Sequence, residues 1–167
     1  MSHPPADNND KGMPELTPEI FATALPLAVK WAEDYQQFIL ERGRPLTPHE
    51  ENDARLSGVR HPERIRVAVV PHVPRPDDGL LKHFNDVVRL ITPDTQGMSL
   101  QYGIFIRADC QGDRSLLVHE CVHTSQYERL GGIAAFLKQY LEECVHYVYP
   151  ETPMEQEAVE TTRRICS

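Results

Sequence analysis

The stretch Arg114-Ser-Leu-Leu-Val-His119-Glu120-Cys-Val-His123-Thr-Ser-Gln-Tyr127-Glu-Arg129 decides how the chain is read. Leu116, Leu117, Val118 and Val122 set an apolar pattern through it, and no proline or glycine interrupts it before Gly131-Gly132. The spacing therefore predicts one helix over 114–129, stopped by the glycine pair. At about 100° per residue, positions 119 and 123 diverge by only about 40° around the axis, so both imidazoles leave one face. Glu120 projects beside them. Gln126 and Tyr127, three and four residues beyond His123, share its side of the helix. Cys121, two positions from each histidine, is expected to point away and into the core.

His119-Glu120-x-x-His123 is the pattern in which two imidazoles one helical turn apart bind a single zinc ion. The glutamate between them is placed to take a proton from an attacking water. A catalytic zinc commonly has three protein ligands, so a third must come from elsewhere in the chain. Glu155 is the first choice and Glu157 the second, both beyond the breaks at Pro150 and Pro153. A helix hairpin turning at Gly131-Gly132 would return them to the site. His146 is a rival ligand. Tyr127 is placed to donate to a developing oxyanion, with Tyr147 and Tyr149 as weaker choices for that role.

Outward from this stretch, Thr17-Pro18-Glu19 opens a helix that Gly43 ends, with Pro26 inside it. Thr47-Pro48-His49-Glu50 is a capping box that opens a short helix to about Ser57. Ile65–Val70 is β-branched and reads as a strand ended by the Pro-rich stretch 71–76. Leu80–Leu90 is either a short helix or a loop. Leu100–Ile106, after the turn-prone stretch 92–97, reads as a second strand. A long helix follows from Ile133 to about Tyr149, and a last one runs from Met154 to the C-terminus. Strands beside this many helices make an α+β domain, expected to span residues 15–167 after a flexible polar tail over 1–14.

A length of 167 residues fits one domain, and 40% apolar residues with 25% charged ones are enough to bury a core. The net charge of -8 and pI near 5.4 argue against a nucleic-acid partner, which needs clustered Lys and Arg. No window reaches the roughly 18 apolar residues of a membrane span. No basic start followed by an apolar run marks a secretory signal, so a cytoplasmic protein is expected. Cys110, Cys121, Cys144 and Cys166 form no Cys-x-x-Cys pair and read as reduced thiols.

The run His119-Glu-Cys-Val-His-Thr-Ser-Gln-Tyr127, then Gly131-Gly132, then Pro153-Met-Glu-Gln-Glu-Ala158, resembles the small bacterial zinc-metallopeptidase-like proteins of the gluzincin type. The resemblance covers residues 97–160. It implies a mainly helical metallopeptidase-like domain with a small β-sheet beside the active-site helix. It further implies His119, His123 and Glu155 as zinc ligands, Glu120 as general base, and hydrolysis of a bond in a peptide or protein substrate. In related metallopeptidases a strand beside the active helix binds substrate in extended form, and Tyr102–Ile106 is the segment similar to it. Val159 departs from the pattern, standing where gluzincins have an aspartate that orients a ligand histidine. The alternative is a zinc-binding regulatory or interaction module with little or no turnover.

Overall fold

The computed structural model describes residues 16–167, so the expected tail over residues 1–14 lies outside the described residues. Helix α1 spans Pro18–Arg42, where Thr17 Oγ1 accepts from the Ile20 N–H at 3.1 Å and proline occupies the first turn. It continues through Pro26 and buries Ala24, Ala28, Ala32 and Ile39. Helix α2 spans Pro48–Leu56, and Thr47 caps it by accepting from the Glu50 N–H at 3.2 Å. Only half of the capping box forms, because the Glu50 carboxylate accepts from Arg44 at 2.9 Å instead of reaching back to the cap.

Strands β1 (Arg44–Pro45), β2 (Arg66–Val70), β3 (Gly97–Leu100) and β4 (Gly103–Arg107) form one mixed sheet in the order β1-β2-β4-β3. β2 and β4 are parallel and the other two pairs antiparallel. The parallel pair requires a crossover, which contains helix α3 (Gly79–Val88), so the segment read as helix or loop is a helix. The segment read as one strand over 100–106 is instead the end of β3, a two-residue turn at Gln101-Tyr102, and β4. Gln101 takes a left-handed φ of 65°. Asn or Gly would have announced that turn, whereas glutamine gives no such signal.

Along β4, Ile104 and Ile106 join Val67, Leu46, Ala54 and Cys121 in one core on the α2 side. Phe105 and Ala68 point the other way, into a second core with α1. Both faces of the sheet are thus covered, which explains why β4 reads as a continuous apolar run.

Helix α4 (Arg114–Leu130) is capped by Asp113, which accepts from the Leu116 N–H at 3.1 Å, and is ended by Gly131 at φ 101°. From Val118 to Tyr127 nearly every residue is buried, polar ones included. Those polar groups have partners: Thr124 Oγ1 donates to the Gln101 carbonyl at 2.6 Å and Ser125 Oγ to the Val122 carbonyl at 2.6 Å. Helix α5 (Ile133–His146) stops three residues short of the expected Tyr149, and α6 (Pro153–Cys166) returns to pack along α4. All four cysteines are free, and among the described residues no helix is long and apolar enough to cross a membrane.

Candidate metal centre

His119 and His123 lie one turn apart on α4 with their rings edge to face, centroids 4.9 Å apart. Glu155 comes from the first turn of α6, where Thr152 Oγ1 accepts from its backbone N–H at 3.3 Å. Its carboxylate spans the two rings: Oε2 is 3.0 Å from His119 Nε2, and Oε1 is 3.0 Å from His123 Nε2. One donor atom from each residue lies within 4.8 Å of the other two, an arrangement unique to this trio among the described residues. Two imidazole nitrogens and one carboxylate oxygen this close together form a set that could hold a divalent metal ion. His119 keeps 24% of its side-chain surface exposed while His123 and Glu155 keep 7% each, so the group is reached from the His119 side.

Neighbouring groups orient these three. Gln126 Oε1 lies 2.8 Å from His123 Nδ1, and Gln126 Nε2 donates to the Met154 carbonyl at 3.0 Å. With Nδ1 bonded in this way, Nε2 is left to face Glu155. Tyr140 on α5 donates from its hydroxyl to Glu155 Oε1 at 2.6 Å. Burial alone would depress the His123 pKa, but the hydrogen bond and charge of Glu155 outweigh it and push it up to about 9. Burial likewise opposes the Glu155 carboxylate, yet its bonds to both imidazoles hold it far below the usual carboxylate range.

Glu120 is buried and joins no ligand group. Burial pushes its carboxyl pKa up, and the charges of His123 and His119 pull against that shift. It lies against β3, where a Cβ added at Gly97 would come within 3.2 Å of Glu120 Oε1. A cavity of about 140 Å³ opens beside these groups, reaching from His119, Glu120, His123 and Glu155 to α1 and α3.

Several expected site residues sit elsewhere. Glu157 is two residues past Glu155 and so on another face of α6, where it pairs with Arg129 at 2.9 Å and accepts from Gln126 at 3.2 Å. His146 is exposed at the end of α5 and belongs to no metal-capable group. Tyr127 is a correction to the expected oxyanion donor. Its side chain is 1% exposed, its ring stacks on Phe136 at 3.5 Å, and its hydroxyl donates to the Ser99 carbonyl at 3.1 Å. A hydroxyl committed in this way is part of the core. Tyr147 is half exposed, whereas Tyr149 lines the cavity. Cys121 is buried in the α2-side core. The expected substrate strand is also corrected: Tyr102–Ile106 is mostly β4, which is paired on both sides, and the sheet edge beside α4 is β3.

Sequence reasoning missed Tyr140 as a partner of Glu155, because in α5 it falls among apolar positions and reads as core. Gly97 gave no signal beyond its place at the end of a turn-prone stretch. No family model, no curated protein and no solved structure matches the chain. The functional reading therefore stands on the geometry of His119, Glu120, His123 and Glu155.

Proposed function

We propose that the chain is a zinc-dependent peptidase of the gluzincin type, with His119, His123 and Glu155 holding zinc and Glu120 as general base. The observation that carries the reading is the Glu155 carboxylate bridging both histidines, with a separate buried glutamate beside them. Zinc, when bound, supplies a Lewis acid that polarises a carbonyl and acidifies water. Glu120 accepts the proton of the attacking water on a carboxylate oxygen and passes it to the leaving amine. Its raised pKa suits a group that must both take and return a proton.

The outer edge of β3, which pairs with no further strand among the described residues, supports an extended substrate. The Arg107 N–H donates to the Gln96 carbonyl, and Leu100 pairs with Gly103 across the two-residue turn, so Gln96, Met98 and Leu100 turn their backbone groups toward β4. Alternation then turns Gly97 and Ser99 to the outer edge, and the Ser99 carbonyl is taken by Tyr127. Gly97 is left with its N–H and C=O beside Glu120, in position to pair with a substrate backbone.

Glu120→Gln keeps size and hydrogen bonding while removing the basic oxygen. Zinc content is expected to stay at the wild-type level as hydrolysis of a cleaved library peptide falls by about 10²–10⁴-fold. Equal turnover in the variant would assign the proton to another group. A second reading, a zinc-holding module without turnover, has its own support. Val159 is 39% exposed, and among the described residues no protein group bonds His119 Nδ1. Stoichiometric zinc with no cleavage across a broad peptide library would favour that reading.

A further inference from the structure

The cavity beside the metal centre has a composition that selects what enters it. Its wall is apolar: Ala28 and Ala32 of α1, Leu81 and Phe84 of α3, and Leu137 and Leu141 of α5 supply much of it. Among the described residues, and apart from His119, Glu120, His123 and Glu155, the wall holds no aspartate, glutamate, lysine, arginine or histidine. Most of the polar side chains in it, Trp31 and Tyr149 apart, are already bonded within the protein. Asn85 donates to the Ile91 carbonyl and accepts from the Ile91 N–H, both at 2.9 Å. Thr95 Oγ1 accepts from the Thr92 N–H at 3.0 Å, and Ser99 Oγ lies 3.1 Å from Thr124 Oγ1. Tyr127 and Tyr140 direct their hydroxyls to the Ser99 carbonyl and Glu155.

A charged ligand group would lose its water here and find no countercharge except at the metal-centre end, and few hydrogen-bond partners. The volume of about 140 Å³ sets the size. Apolar cavities near 150 Å³ hold a benzene-sized molecule, which excludes a long acyl chain. The floor is set by two alanines, Ala28 at 8% and Ala32 at 1% exposure, whose short side chains leave the space open.

We propose that this cavity seats one uncharged apolar side chain of the substrate, of leucine to phenylalanine size, next to the bond that is cleaved, with Ala28 and Leu81 limiting its length. The proposal rests on the peptidase reading above for what the side chain is attached to. The pocket itself stands on the wall composition.

The test uses the full chain loaded with Zn²⁺ and four hydroxamates, which share a metal-binding head and differ in tail: acetohydroxamate, 4-methylpentanohydroxamate, 3-phenylpropanohydroxamate and succinic monohydroxamate. Calorimetry is expected to show the two apolar tails binding about 10–100-fold tighter than acetohydroxamate, with the charged tail no better. Ala28→Leu, and independently Leu81→Trp on α3 in case the first fails to fold, should cut that preference to within about threefold. Affinity independent of the tail, or a preference for the charged one, would overturn the pocket while leaving the zinc site intact. A metal-free arm separates the two claims, with benzene titrated into zinc-free protein and followed by the Ala28 and Leu81 methyl resonances. Absence of shifts there overturns the pocket. Saturable shifts without any hydroxamate affinity support the pocket and count against the zinc reading.

Discussion

Gln126 is fully buried, and its side chain links α4 to α6: Oε1 meets His123 Nδ1, while Nε2 donates to the Met154 carbonyl and to Glu157. It ties the orientation of one imidazole on α4 to the backbone of α6, which carries Glu155. Groups that orient metal ligands in this way typically matter 10–100-fold in affinity. Gln126→Leu is expected to weaken zinc binding by about that factor, read by competition with a chelator of known affinity. Unchanged affinity would mean that packing alone orients His123. The sequence placed Gln126 and Tyr127 on the His123 side of α4 and gave no way to separate them. One residue of difference, about 100° of rotation, sends the glutamine to the ligand and the tyrosine to the Ser99 carbonyl.

At the scale of elements, the contact of β3 with α4 sets the position of Glu120. Gly97 lets them approach, since a Cβ there would sit 3.2 Å from both Glu120 Oε1 and Leu116 Cδ1. Gly97→Ala is expected to displace the carboxylate by a few tenths of an ångström, lowering kcat about 10-fold with zinc content unchanged. A variant with wild-type kcat would show that the proposed role of Glu120 tolerates such a shift. This contact also marks how far the sequence could be read. The helices α1, α2, α4 and α6 were legible because capping threonines or glycine stops bracket them. The sheet was half legible. β2 carries a β-branched run, but β1 is two residues long and the turn between β3 and β4 relies on a glutamine at positive φ. The three candidate ligands, His119, His123 and Glu155, follow from a local motif and a distant glutamate. Tyr140, Gly97 and the cavity depend on which helix lies beside which, and no local pattern records that.

In the whole molecule, two cores flank the sheet, and α4 packs against α2 on one side and against α5 and α6 on the other. Its N-terminus is tied to α2 by Arg114, whose guanidinium bonds the buried Asp53 carboxylate at 2.9 and 3.0 Å. The Arg114 hydrogen bond, opposed by burial, holds the Asp53 pKa below its ordinary value. A carboxylate pKa depressed by folding contributes stability that is complete above the unfolded value of about 4 and is lost as pH falls through the folded one. Arg114→Met is therefore expected to destabilise the fold near pH 7, modestly because the arginine is half exposed. That deficit should shrink toward pH 3, as followed by urea denaturation; a deficit equal at both pH values would assign the cost to lost packing. Further along the same helix, His119 and His123 meet Glu155 in the proposed zinc site. Its most direct test is the zinc content, by elemental analysis, of wild type, His119→Ala, His123→Ala and Glu155→Ala, purified identically and dialysed against a weak chelator. One equivalent is expected in the wild type and close to none in each variant that folds, while a metal-free wild type or a full equivalent in the variants would contradict the zinc site.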